Sequence, residues 1–171
     1  MRFAYADPPY LRQGRKHYGD HPEAAVYDTL EGHAALIEQL QTDFPDGWAM
    51  SASSSSLRLL LPLCPADVRI AAWVKPFHVF KKGVRPAYAW EPVIFRGGRN
   101  KNHPPPPKGG KATTPKDFVV ANIVLKSGLV GAKPERFCEW VLALLNVQLG
   151  DEVIDLFPGT GAFGMAVANV S

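Results

Sequence analysis

Cysteine is almost absent from this chain, with Cys64 and Cys138 the two present in 171 residues. Each stands alone, without the spacing of a zinc site or a disulfide framework, so both read as buried thiols of a reduced, intracellular protein. Long apolar runs are missing as well. No stretch approaches the roughly 18 residues of a membrane-spanning helix, and the amino terminus lacks the cationic start and apolar core of a secretion signal. A soluble, cytoplasmic protein is the expectation. His17 and His21 stand four apart, but Gly19 and Pro22 break the helix that this spacing needs. With no third ligand nearby, no metal is expected.

Acidic residues are scarce in the middle of the chain. Between positions 75 and 116 stand Lys75, Lys81, Lys82, Arg85, Arg96, Arg99, Lys101, Lys108, Lys111 and Lys116 against Glu91 alone, although the whole chain carries only +3. Charge gathered in this way suits a polyanion, with one face carrying the positive potential. Hydrophobic periodicity is missing from residues 96–117, RGGRNKNHPPPPKGGKATTPKD, where four prolines run between pairs of glycines. This segment is expected to be a flexible basic arm with a polyproline spacer.

What remains is 46% hydrophobic and 20% charged, enough for one domain over residues 1–171 with a substantial core. Residues 3–6, 48–52, 68–74, 89–95 and 152–157 read as strands, those of 68–74 and 152–157 buried. A helix is expected over 29–42 with Leu30, Ala34, Ile37 and Leu40 on one face, and a short one over 57–63. Residues 11–23 read as a polar loop, and 53–56 as a helix-capping serine turn near a cofactor. Alternating strands and helices make an α/β fold with a mainly parallel sheet.

Two strand ends carry chemistry. Asp7-Pro8-Pro9-Tyr10 follows the first strand, and its two prolines stiffen the turn and leave carbonyls free to accept hydrogen bonds. A carboxylate, free carbonyls and an aromatic ring suit a flat base bearing an amine. At the other end Asp155-Leu156-Phe157 runs into Pro158-Gly159-Thr160-Gly161, where glycines permit positive φ and close approach of a ligand to the backbone. If the two strands are neighbours, both motifs reach the same crevice.

Together these motifs resemble the amino-methyltransferases that use S-adenosylmethionine, the DPPY form being typical of adenine-N6 enzymes. DPPY precedes the glycine loop here, which resembles the permuted, beta-group order of the DNA methyltransferases. The segment 131–137, Gly131-Ala132-Lys133-Pro134-Glu135-Arg136-Phe137, resembles the family's Lys-Pro motif, and Trp90-Glu91-Pro92 its late sheet segment. The resemblance covers residues 3–12 and 129–164 well and the rest loosely. It implies a Rossmann-like methyltransferase domain acting on adenine N6 in DNA.

By the same resemblance Asp7 and the Pro8 carbonyl accept from the amine, Pro9 stiffens the turn, and Tyr10 stacks on a flipped base. Lys133, Asp155, Leu156, Phe157, Pro158, Gly159 and Gly161 bind the cofactor, with Lys133 meeting its carboxylate. Arg12, Arg15 and Lys16 beside the turn, with Arg96, Arg99 and Lys101 from the basic segment, are the expected nucleic-acid contacts. After Gly164 only residues 165–171 follow, so the strand that in this family supplies an acidic residue to the ribose hydroxyls is missing. Asn169 or another side chain in its place, a completing partner subunit or second copy, and a truncated, inactive binding module all remain open. So does an RNA adenine methyltransferase, since the related DPPW enzymes share the permuted order.

Overall fold

In the first strand Phe3 and Tyr5 enter one buried cluster while Ala4 and Ala6 enter another, so a single β segment feeds two cores. That alternation is what a strand covered on both faces requires. A computed structural model describes residues 1–14, 19, 22–77, 82–99, 114–124 and 132–170. The strands are β1 (Arg2–Ala6), β2 (Gly47–Ser51), β3 (Arg69–Val74), β4 (Trp90–Gly97), β5 (Phe118–Val120) and β6 (Glu152–Asp155). They form a six-stranded sheet in the order β5-β3-β4-β2-β1-β6. β1 lies parallel to β2 and β6, and β5 parallel to β3, whereas β4 is antiparallel to both its neighbours. One inverted strand therefore interrupts an otherwise parallel sheet.

The helices are α1 (Pro22–Tyr27), α2 (Leu30–Asp43), α3 (Leu57–Leu60) with a 3-10 turn over Leu61–Leu63, α4 (Glu135–Leu144) and α5 (Ala162–Ala168). On one face α2 and α3 pack Leu36, Ile37, Leu40 and Leu60 against Trp48, Met50 and Ile94. On the other, Phe137, Val141, Phe163 and Ala166 of α4 and α5 cover Tyr5, Ala49, Trp73 and Val93. Tyr5 stacks on Phe163 at 4.4 Å between ring centroids, tying β1 to the helix that follows the glycine loop.

The α/β class, the parallel majority and the five expected strands are present, with several differences in detail. The buried face of α2 is His33, Leu36, Ile37 and Leu40, rotated from the expected stripe and leaving Leu30 exposed. His33 could join it because its Nδ1 bonds the Thr29 carbonyl at 3.1 Å, so the ring is buried with its polar need met. Thr29 caps α2 by accepting from Gly32 N at 3.1 Å. The serine turn precedes α3 but its hydroxyls do not cap it: Ser56 Oγ donates back to the Ser53 carbonyl at 2.9 Å. The helix over Pro22–Tyr27 begins within the loop expected over 11–23, and β3, expected to be buried, is exposed at Arg69 and Ile70. The last strand stops at Asp155 and, at the end of the sheet, is exposed at Glu152 and only half-buried beyond it, and β5 had too few residues to show a period. Residues 100–113 of the expected arm lie outside the described residues.

Candidate active site

β1 and β6 pair directly, with Tyr5 opposite Asp155 and Leu156 N donating to the Tyr5 carbonyl at 3.0 Å. The proline turn and the glycine loop leave the carboxyl ends of adjacent parallel strands, the edge at which α/β sheets hold ligands. Asp7 follows β1 with its side chain a quarter exposed. Beyond Tyr10 the turn closes through Gln13 N to the Tyr10 carbonyl at 2.8 Å, and Arg12 takes a left-handed φ of 63°. A non-glycine residue there costs local strain, which places backbone tension just after the candidate catalytic turn.

In the second loop Asp155 Oδ1 accepts from Phe157 N at 3.1 Å, which orients the strand end. Gly159 and Gly161 have φ of 45° and 76°, and Gly161 N closes the turn onto the Pro158 carbonyl at 2.6 Å. A Cβ at Gly161 would meet nothing within 4 Å, so bare backbone borders open space. Phe157 is held from behind by Tyr27, edge to face at 5.1 Å.

Lys133, just before α4, enters the same edge. Its Nζ lies 2.9 Å from Asp7 Oδ1, 3.1 Å from the Tyr10 hydroxyl and 3.4 Å from Glu91 Oε2. Those contacts match the three N–H groups of an ammonium. Around it stand the rings of Tyr10, Trp73 and Phe137 at 5.5, 5.5 and 5.8 Å. Glu91 also accepts from the Tyr10 hydroxyl at 2.7 Å and pairs with Lys75. The inverted direction of β4 is what brings Glu91, near that strand's start, to the carboxyl edge of the others.

Charges here are strongly coupled. Burial pushes the Asp7 carboxyl up, and Lys133 only partly offsets it. For Glu91 the same burial is outweighed by Lys133 and Lys75, which hold it below its ordinary value. Lys133 is buried too, yet Asp7 and Glu91 together raise its pKa, so it stays cationic. Asp155 is raised by burial, with Asp7 adding to the effect. The arrangement presents a carboxylate of elevated pKa at the crevice mouth, an aromatic ring beside it, and an open backbone loop on the next strand.

The structure thus brings together Asp7, Pro8, Pro9, Tyr10, Lys133, Asp155, Leu156, Phe157, Pro158, Gly159 and Gly161, while adding Glu91 and Lys75, which sequence reasoning missed. The sequence signals for Glu91 were its isolation among cations and its place in Trp90-Glu91-Pro92, neither of which assigned it a role. Arg12 is exposed at this edge, whereas Arg15, Lys16 and Lys101 lie outside the described residues. Arg96 and Arg99 are not at the site. Arg96 sits opposite Trp48 near the start of β2 and bonds Asp67 at 2.8 Å, and Arg99 bonds Asp151 just before β6. Both occupy the amino edge of the sheet, whereas Lys75 stands at the carboxyl edge, so among the described residues these cations reach two edges. Among the described residues no group of three His, Cys, Asp or Glu could hold a metal, and no helix is long and apolar enough to cross a membrane.

Solved structures share this architecture. The PvuII DNA methyltransferase, described as cytosine-N4-specific, aligns over 100% of this chain and 72% of its own at a TM-score of 0.63 and 15% identity. The chain has a methyltransferase fold. M1.HpyAVI, solved in complex with SAM, aligns over 99% of this chain and 78% of its own at a TM-score of 0.60 and 18% identity, and a second M1.HpyAVI structure at 0.56 and 16%. No family model and no curated protein matches the sequence. In this methyltransferase fold the Asp7 turn and the glycine loop lie side by side, at the carboxyl edge of the sheet.

Proposed function

We propose that this chain transfers a methyl group from S-adenosylmethionine to the exocyclic N6 amine of adenine in DNA. The observation that carries the reading is the pairing of β1 with β6, which sets Asp7 to Tyr10 beside residues 155–161. The M1.HpyAVI neighbour was solved with SAM, and the PvuII neighbour is named for methylation of an exocyclic amine. The donor set fits this cofactor: the Asp155 carboxylate complements its ammonium, Phe157 offers an apolar wall, and the open backbone at Gly159 and Gly161 admits close approach. When bound, it supplies an electrophilic methyl group.

Adenine N6 is a poor nucleophile because its lone pair is delocalised into the ring. Asp7 and the Pro8 carbonyl accept its two hydrogens and favour a pyramidal nitrogen, and Tyr10 stacks on the base. Orientation and exclusion of water do most of the work, since the proton can leave after transfer. Taking the base out of a duplex costs on the order of a few kcal/mol, and less in single strands. Lys133 has its donors on Asp7, Tyr10 and Glu91. For it to meet the cofactor carboxylate, one of these partners must be released. Arg12 meets a phosphate flanking the target in this reading, which its exposure beside the turn supports.

The test is incubation of the purified chain with labelled S-adenosylmethionine and adenine-containing duplex DNA, single-stranded DNA or RNA, followed by nucleoside mass spectrometry. N6-methyladenine from DNA, lost in Asp7→Ala with cofactor binding retained by calorimetry, is the expected result. Methylcytosine as the product would move the assignment to cytosine N4, the specificity named for the PvuII neighbour. Product from RNA alone would change the substrate class. Cofactor binding without any methylated nucleoside would reject the activity.

A further inference from the structure

Glu91 has a place in this site that the motifs do not assign. Its Oε2 accepts from the Tyr10 hydroxyl at 2.7 Å and lies 3.4 Å from Lys133 Nζ, while Oε1 is taken by Lys75. Lys133 in turn reaches Asp7 Oδ1 at 2.9 Å. The four charges alternate in sign from Lys75 to Asp7. Beneath them Trp73 is 3% exposed and locked by its Nε1 bond to the Ala121 carbonyl at 2.8 Å. Its ring underlies both ammonium groups, Lys75 at 4.8 Å and Lys133 at 5.5 Å. A buried ionic network stabilises a fold little more than apolar packing of the same volume, so what this one supplies is position.

We propose that Glu91 is a positioning residue, which fixes the Tyr10 ring through its hydroxyl and divides Lys133 between itself and Asp7. The inference rests on Asp7 being the acceptor of the target amine. An ammonium held by Asp7 alone would compete with the amine for the carboxylate lone pairs. Glu91 draws Lys133 back, and Lys75 limits how far it does so. Tyr10 tied at its hydroxyl keeps a fixed plane against which a base can stack, and the anchor comes from β4, an element separate from its own turn.

Asp7 titration reports this balance. The groups facing Asp7 are Lys133 before α4, Glu91 on β4, Tyr5 and Tyr10 from its own strand and turn, Asp155 on β6 and Cys138 on α4, with Lys75 acting through Glu91. Tyr5 and Cys138 are raised by burial, Cys138 to about 12, so both stay neutral at physiological pH. Asp155 is raised by its own burial. Removing the Glu91 charge takes repulsion away from Asp7 and hands it more of Lys133, so Asp7 ionises at lower pH while becoming a poorer acceptor. Removing Lys75 does the opposite, because Glu91 then pulls harder on Lys133.

The experiment is carboxyl carbon NMR titration of the full chain, with Asp7 assigned from Asp7→Asn, in wild type, Glu91→Gln and Lys75→Met. Glu91→Gln should lower the Asp7 midpoint by about one pH unit, a tenfold change in its ionisation constant, and Lys75→Met should raise it. Under turnover Glu91→Gln should also lower kcat on the order of tenfold and shift the acid limb of the rate profile downward with Asp7. A packing role alone would not produce midpoint shifts of opposite sign. If both variants leave Asp7 where it was, or move it the same way, the proposal fails. Should Glu91→Gln not fold, Lys75→Met decides alone: a raised midpoint supports the balance and an unmoved one overturns it. The titration needs no turnover, so a chain that methylates nothing would defeat the proposed activity and leave this result to be read separately.

Discussion

Replacing Lys133 by methionine removes the cation from a cluster that keeps two carboxylates within 3.4 Å of it, at a side chain only 9% exposed. At an effective dielectric near 20, attractions at 2.9 and 3.4 Å are worth about 6 and 5 kcal/mol. Freeing the ammonium from its buried place returns several kcal/mol of desolvation, and removing one partner of a buried ionic cluster comes to a net loss of about 3–5 kcal/mol. For a chain of this length that lowers Tm by about 6–20 °C. The loss also depends on pH with a definite sign. Burial already raises Asp7, and without Lys133 it rises further, so the folded state binds a proton there more readily than the unfolded chain does. Falling pH then relieves the variant. Lys133 itself is raised above its ordinary value and stays charged throughout this range, so wild type gains nothing from the change on its account. Thermal melts followed by circular dichroism should show the full deficit near pH 8 and a clearly smaller one near pH 5. A variant within about 2 °C of wild type at pH 8, or an equal deficit at both values, would show that the cluster is not held as described.

Three other predictions follow from particular positions. Gly161→Val forces a branched side chain onto a φ of 76° and should cost about 1–2 kcal/mol with loss of cofactor binding, whereas Gly164→Ala, inside α5 with nothing within 4 Å of the new Cβ, should be neutral or stabilising. Urea melts with calorimetry would separate them, and equal effects would refute the assignment of the loop. Arg12→Ala should weaken DNA binding and flatten its salt dependence, while Arg96→Ala, paired with Asp67 on the far edge, should leave both as they were in anisotropy titrations. An Arg96 effect on the salt slope would restore the single basic face. Asp151 is opposed by burial but held down to about 2, chiefly by Arg99, so stability should fall as pH drops from its ordinary 3.8 toward 2. Asp151→Asn should remove that acid-side decline from denaturant titrations, and an unchanged slope would refute the linkage.

Much of this molecule was legible in one dimension. Apolar runs ending in proline or glycine announced β1 and β6, and Thr29 with the periodic residues after it announced α2. Local rules failed where burial depended on a partner. His33 stood off the expected stripe, and it is buried because its ring nitrogen meets the Thr29 carbonyl, so the face of α2 is turned. β5 exists because β3 offers it a ladder, and its few residues carry no period of their own. Which edge of the sheet Arg96 and Arg99 reach is likewise not written in the charge along the chain.

The sequence by itself determined which segments could carry chemistry: a stiff turn with a carboxylate and a ring, a glycine loop after a strand, and a lysine before a helix. Those follow from backbone freedom and side-chain type, which are local. Only the tertiary structure decided that Tyr10 and Lys133, 123 residues apart, share a hydrogen bond, and that Glu91 joins them. The reason is strand order and direction: β6 returns beside β1, and β4 runs against its neighbours, so its beginning meets their ends. No pattern along the chain encodes that inversion, because it is set by which edges remain to be paired and which apolar faces remain to be covered.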